Sequence, residues 1–237
     1  MFERGGLVVI GLMGLLAVGC SKETTSSSNI KTAGIAALTD VYADTDTTAT
    51  VHVELRVGGS SSNTYVSLDN GDKLIATAGG ETKTLGTTDE VGIYEAKFSG
   101  VSGGTEFSLV LERPNDTTAS DNSGTLPDPF TLDKPTDDLS RKNDALDVTW
   151  APSGTSDDMD FDFDGSCIFP YSESPSDSGT LTLAKGTLDS TGGDMPKACK
   201  ITVDAHRTRS GIADDKFDSE SWFRLHQRRS TSFNSSP

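Results

Sequence analysis

Residues 157–167 read Asp-Asp-Met-Asp-Phe-Asp-Phe-Asp-Gly-Ser-Cys. Carboxylates at alternate positions, closed by a glycine, can converge on a hard cation such as calcium. Counting from Asp160, the twelfth position is Tyr171. A helix-flanked calcium loop needs a bidentate glutamate there, and no helical pattern flanks this stretch, so that form of site is excluded. A looser surface calcium site remains as the one cofactor the sequence leaves open, with Asp157, Asp158, Asp214 and Asp215 as its ligands. The remaining candidate chemistry is sparse. No nucleophile elbow, phosphate-binding glycine loop or His-Glu-x-x-His helix is present, so no catalytic residue is assigned. The three histidines are His52, His206 and His226. A symmetric hairpin turning near Asp214 sets His206 opposite Trp222 and His226 opposite Thr202, too far apart for a natural two-histidine metal site.

The elements that must position these groups read as strands. Met159, Phe161, Phe163, Gly165, Cys167 and Phe169 form one face of the aspartate stretch, and the aspartates at 158, 160, 162 and 164 form the other. Successive strand side chains point to opposite sides, so the pattern predicts a half-buried strand. Cys199, Ile201, Val203 and Ala205 repeat the inward alternation, as do Val51, Val53, Leu55 and Val57. No stretch past the first 32 residues keeps an apolar pattern at helical period, so the chain is expected to be all-β. Asp69-Asn70-Gly71-Asp72, between Tyr65–Leu68 and Lys73–Thr77, predicts a tight hairpin, because Asn-Gly tolerates positive φ. Residues 126–135 predict an edge strand punctuated by prolines and owned by either half of the chain, with a domain boundary near Lys134. The stretch from Arg207 through Phe217 predicts a long loop between the last two strands, with Arg207, Arg209, Asp214 and Lys216 as a recognition surface.

A net charge of -16 excludes nucleic acid as a partner, since phosphate binding needs the opposite sign. Aromatic residues make up only 7% of the chain, so any core is small. Five of the nine arginines nonetheless fall within the last 31 residues.

Leu7 to Gly19 form an apolar run behind a short head carrying Arg4. The run is shorter than the roughly 20 residues a spanning helix needs, so it predicts a signal peptide over residues 1–19. Its end, Ala17-Val18-Gly19-Cys20, resembles the lipobox of bacterial lipoproteins. The resemblance implies lipidation of Cys20, membrane attachment through the acyl chains, and a place in the bacterial cell envelope. Ser21 in place of an aspartate implies the outer rather than the inner membrane. Residues 20–32, rich in serine and threonine, then predict a flexible tether. With Cys20 lipidated, Cys167 and Cys199 are left as one pair, expected to form a disulfide in an oxidising compartment.

A second resemblance concerns the C-terminal half. Leu146-Asp147-Val148-Thr149-Trp150-Ala151-Pro152-Ser153-Gly154 resembles the second strand and turn of fibronectin type III domains, and the segment from Cys199 through Gly211 resembles their sixth strand. This implies a two-sheet immunoglobulin-like sandwich in which the aspartate strand neighbours the sixth strand. Lys200, His206, Arg224 and Arg228 then face outward beside the aspartate row as its charge partners. The expected organisation is two tandem immunoglobulin-like, fibronectin type III-like β-sandwiches, at 33–134 and 135–237. The expected function is a lipid-anchored, non-enzymatic binding or structural module whose partner is another envelope protein or a glycan. The alternative is a hydrolase or carbohydrate-active enzyme with an acidic site on the second domain.

Overall fold

Side-chain alternation is the rule that builds this molecule. In the strand Thr48–Val57, Val51, Val53 and Leu55 are almost fully buried, and His52, Glu54 and Arg56 lie on the other face. In the aspartate strand, Met159, Phe161 and Phe163 are buried between aspartates. The computed structural model describes residues 22–191 and 197–237, so the expected signal peptide and Cys20 lie outside the described residues. Within them the chain is all-β, with only two short 3-10 turns at Ser27–Asn29 and Thr32–Gly34.

Among the described residues, eighteen strands form three sheets. The largest sheet runs in the order β1 (Glu23–Ser26), β4 (Thr64–Ser67), β3 (Thr48–Val57), β2 (Ile35–Ala43), β18 (Trp222–Ser236), β17 (Cys199–Ser210), β14 (Asp158–Asp164) and β15 (Tyr171–Glu173). β8 (Ile93–Ser99) also pairs with β3 and carries β7 (Gly86–Thr87), while β12 (Leu139–Ser140) lies along the end of β18. The second sheet orders β10 (Ala119–Thr125), β9 (Glu106–Glu112), β5 (Lys73–Ala78) and β6 (Glu81–Thr84). The third orders β11 (Thr131–Leu132), β13 (Leu146–Ala151) and β16 (Thr180–Leu183).

The large sheet is shared between two sandwiches. Its β1-to-β18 part faces the second sheet across a core containing Leu55, Phe98, Phe107 and Leu111. Its β18-to-β15 part faces the third sheet across a core containing Trp150, Phe161, Phe163 and Phe233. In the second sandwich, three strands face β18-β17-β14-β15, and β14 pairs antiparallel with β17 as expected. Cys167 and Cys199 are disulfide-bonded, with Cα atoms 5.7 Å apart.

Five expectations are corrected. The second domain does not hold all of 135–237: β18 pairs parallel with β2 from Trp222 to Gln227, and Phe217, Phe223 and Leu225 belong to the first core. The C-terminal strand thus completes the first sandwich before entering the second. The stretch 126–135 serves both, since Leu126 is in the first core, Phe130 is in the second, and β11 pairs with β13.

The hairpin at 69–72 forms its turn, with Asn70 at φ 49° and Gly71 at φ 89°. Its arms, however, enter different sheets, β4 in the first and β5 in the second. Turn chemistry fixes a reversal of direction, while burial of Leu74 and Ala76 against the opposite sheet decides the pairing.

The tether is ordered from Glu23 onward. β1 pairs with β4, and Ser27 and Thr32 are buried. Its hydroxyls serve Asp69, which accepts from Ser26, Ser27 and Ser28. The buried Arg113 donates to the Ser27 and Ile30 carbonyls and to Thr32 Oγ1, and pairs with Asp72 at 2.9 Å. A low-hydrophobicity segment is held here by polar groups that would otherwise be buried without partners.

The β17–β18 pairing is shifted by six residues from the expected register, its turn centred at Phe217 and not at Asp214. Ser210 lies opposite Arg224, which sets His206 opposite Arg228 and His226 opposite Thr208. The cause is docking of the connecting loop, because Phe217 enters the first core and the Asp218 amide donates to the Ile35 carbonyl.

Candidate functional site

All three histidines lie on the outward face of the large sheet, on β3, β17 and β18. At its centre is Asp40, on β2 and only 6% exposed. Parallel pairing places Leu38 beside Trp222, Asp40 beside Arg224 and Tyr42 beside His226. Asp40 accepts from Trp222 Nε1 at 3.1 Å, from Arg224 Nε at 2.9 Å and from His226 Nε2 at 2.9 Å. The other ring nitrogen, His226 Nδ1, lies 2.9 Å from the Thr208 hydroxyl. Burial alone would raise the Asp40 pKa, but hydrogen bonds from His226, Arg224 and Trp222 outweigh it and hold the carboxyl below its ordinary value.

The Thr208–His226–Asp40 chain has the connectivity of a nucleophile, base and orienting carboxylate. Its surroundings answer differently. Asp40 is also clamped by Arg224 and Trp222, and the Thr208 hydroxyl sits mid-strand on a sheet face whose backbone amides are engaged in pairing.

Around this centre the face is aromatic and charged. The Tyr42 ring stacks on His226 with centroids 5.0 Å apart, and the Arg228 guanidinium lies 4.1 Å from the Tyr42 centroid. Arg228 also binds Asp44 through two bonds of 2.7 and 2.9 Å. Arg224 lies 4.2 Å from the Trp222 ring centroid, and His52 Nδ1 meets Glu95 at 2.8 Å. Where β2 ends and β18 passes into the second sandwich, a shallow groove of about 680 Å³ opens between Asp44, Asp162, Asp204, His206, Arg228 and Arg229. Burial, followed by the nearby positive charge of His226 and Arg228, pushes the His206 pKa down.

The expected charge partners are rearranged. Arg224 and Arg228 go to Asp40 and Asp44, not to the aspartate row, because β2 flanks β18 on its other side. Within the row, Asp160 accepts from Ser174 and Asp162 from Ser172, each at 2.6 Å. Asp162 lies directly opposite Asp204.

The calcium ligands are not brought together. Asp157 is held by Arg209 at 2.7 and 2.8 Å. Asp214 is buried, accepting from the Asp121 and Lys216 amides at 2.9 Å and from Lys216 Nζ at 3.3 Å. Asp158 and Asp215 are exposed. Among the described residues no three His, Cys, Asp or Glu side chains are grouped to hold a metal.

The recognition loop also dissolves. Arg207 belongs to β17 and is fully buried, pairing with Asp177 at 3.1 Å and donating to the Asp128 and Pro152 carbonyls. Trp150 Nε1 and Thr155 complete the bonding of Asp177, which stays below its ordinary pKa despite burial. Arg207 and Arg229 both lie near the ring of Phe130, 4.9 and 5.5 Å from its centroid. These groups join the two sandwiches.

Asp40, Tyr42, Asp44 and Trp222 were missed from the sequence. Their signal was parity: Trp222, Arg224, His226 and Arg228 alternate with Phe223, Leu225 and Gln227. What faces them depends on a parallel pairing between segments more than 180 residues apart.

No family model matches the chain. No curated protein matches it. Among solved structures, the chain is similar to the central fibronectin type III array of a RIM-binding protein, at 9% identity over 82% of this chain and 68% of that one, TM-score 0.28. It is similar to a two-domain fibronectin type III segment of chicken tenascin, at 13% identity over 85% and 99%, TM-score 0.24. A third is a DUF3823 family protein from Parabacteroides merdae, at 11% identity over 83% and 98%, TM-score 0.25. At TM-scores this low, the fold stands on strand pairing and the two cores.

Proposed function

We propose that this chain is a lipid-anchored, non-enzymatic protein of the bacterial cell envelope, held through Cys20 at the outer membrane and acting as a binding or structural module. One observation carries the non-enzymatic reading. Its reactive side chains lie on an open sheet face and are tied to one another, as Asp40 is to Arg224, His226 and Trp222. Catalytic acids and bases work where water is excluded and substrate is positioned. The Cys167–Cys199 disulfide supports an oxidising, extracytoplasmic compartment.

The junction groove is the contact surface in this reading. It offers carboxylates, guanidinium groups and an imidazole side by side, which suits a polar partner, another envelope protein or a glycan. Labelling cells with a clickable fatty acid tests the anchor: the native protein takes up label and Cys20→Ala does not. Equal labelling defeats it. A photo-crosslinking residue at Asp204 tests the surface, with capture expected in intact cells and reduced capture from the same residue at Glu81, on a strand of the other sheet.

A further inference from the structure

We propose that the outer pole of the first sandwich is seated directly on the lipid headgroup layer, so that the molecule stands as a post with its second sandwich farthest from the membrane. This rests on the lipidation of Cys20 and deepens that reading. It does not follow from the lipobox, which says nothing about the height or orientation of what comes after.

The argument begins with reach. The Glu23 amide donates to the Asn63 carbonyl at 3.1 Å, and β1 is in register with β4 from Glu23 onward. Lys22 is itself held, paired with Glu90 and lying 5.1 Å from the Tyr65 ring centroid. Three peptide units separate Cys20 from Glu23, so their Cα atoms are at most about 11 Å apart. A headgroup layer is roughly 5 to 7 Å thick, and an acylated Cys20 must lie at its inner edge. That leaves no length for a mobile spacer between lipid and folded protein.

Strand direction then says which end touches. Glu23 pairs with Thr64, Tyr65 pairs with Arg56, and Val57 pairs with Ile35, so all of these lie at one level of the sheet. From that level β2 runs away toward Ala43, and β18 runs parallel to it. Trp222 is level with Leu38, and β18 continues to Ser236 in the second sandwich. At about 3.3 Å per residue the second sandwich ends roughly 55 Å above the pole, and the groove at Arg228 lies roughly 30 Å above it. The strand crossing from one sandwich to the other, with the buried Arg207–Asp177 pair beside it, keeps the post from folding at its middle.

The pole has chemistry suited to close approach. Its foremost loop is Gly58-Gly59-Ser60-Ser61-Ser62-Asn63, small and uncharged. Beside it Val91 exposes 49% of its surface.

The test places a donor fluorophore at Ser61→Cys or at Lys142→Cys in the acylated full chain, in vesicles of phosphatidylethanolamine and phosphatidylglycerol carrying a headgroup acceptor dye. Energy transfer is expected to be several-fold higher from residue 61 than from residue 142. Inserting 20 Gly/Ser residues between Lys22 and Glu23 should lower transfer at residue 61 and remove most of the difference. Equal transfer from both positions in acyl-labelled protein, or a profile unmoved by the insertion, overturns the seating and leaves the anchor standing. Protein that carries no acyl label, matching Cys20→Ala, overturns both.

Discussion

The two faces of the β17–β18 hairpin carry the same kinds of residue and treat them in opposite ways. Along the inward face of β18, Phe223 and Leu225 fill the first core, Gln227 and Arg229 cross the junction, and Phe233 fills the second. On β17 the inward row runs Ile201, Val203, Ala205 and then Arg207, which is 0% exposed. The outward row of the same strands holds Arg224 and His226 against Asp40 and Arg228 against Asp44, with His206 opposite Asp160. An arginine–aspartate pair of similar length therefore has two different values, set by parity alone: Arg207–Asp177 is removed from water, and Arg228–Asp44 is not. Losing one partner of a buried pair leaves a charge uncompensated, whereas an exposed pair is replaced by solvent.

The largest effect is expected at the junction. Arg207→Ala strands Asp177 beside Trp150 and should destabilise by about 3 to 5 kcal/mol in urea unfolding. Because β18 spans both cores, Trp150 and Trp222 fluorescence should lose structure in one transition. A loss under 1 kcal/mol would break the comparison. Next comes the disulfide at the far end of the inward row. Replacing Cys167 and Cys199 together by serine should cost roughly 3 to 4 kcal/mol on the chain-entropy model. Equilibrium unfolding of the reduced native chain gives the same reading without a substitution.

Much of this is legible in the sequence. The aspartate strand and the cysteine pairing follow from alternation and cysteine number, and the pairing of that strand with β17 is what the resemblance to fibronectin type III domains implied. Even the burial of Arg207 was written in the row 199, 201, 203, 205, since the next inward position is 207. What could not be read was which strands lie beside one another. Asn70-Gly71 fixes a turn and cannot say whether its arms share a sheet. Asp40 and Arg224 meet through pairing across most of the chain, and no local pattern encodes that register. The ordered Ser/Thr segment was hidden for another reason. Its partners, Asp69 and Arg113, are distant in sequence, so composition alone suggested disorder.

On the outward face, Asp40→Asn sharpens the comparison because Asp40 is outward yet nearly buried. Hydrogen bonds to charged groups suggest a loss of roughly 2 kcal/mol at pH 7. The folded pKa of Asp40 is depressed, so its contribution is present above about pH 4 and is lost as pH falls through the folded value. Native and variant proteins should therefore converge in stability as the pH is taken well below 4, which melts from pH 7 to 2.5 would reveal. Arg228→Ala, at the exposed end of the same row, should cost no more than about 1 kcal/mol, and part of that should vanish at 1 M salt.

The smallest effect belongs to His206, and its sign with pH is the same as that of Asp40, in a higher pH window. The ring faces Asp160, Asp162 and Asp204, with Arg228 opposite and His226 nearby. Burial and the positive neighbours lower its folded pKa below the unfolded value of about 6.5. Below that value the unfolded chain binds the proton first, so stability declines as pH falls from 6.5 toward the folded pKa and then levels off. His206→Gln should flatten this part of the stability profile and leave the acid limb set by Asp40 in place. Denaturation midpoints at pH 8.0 and 5.5 provide the measurement. If the variant retains the native difference between them, the imidazole titrates as if it were free in solvent, and outward parity alone governs its behaviour.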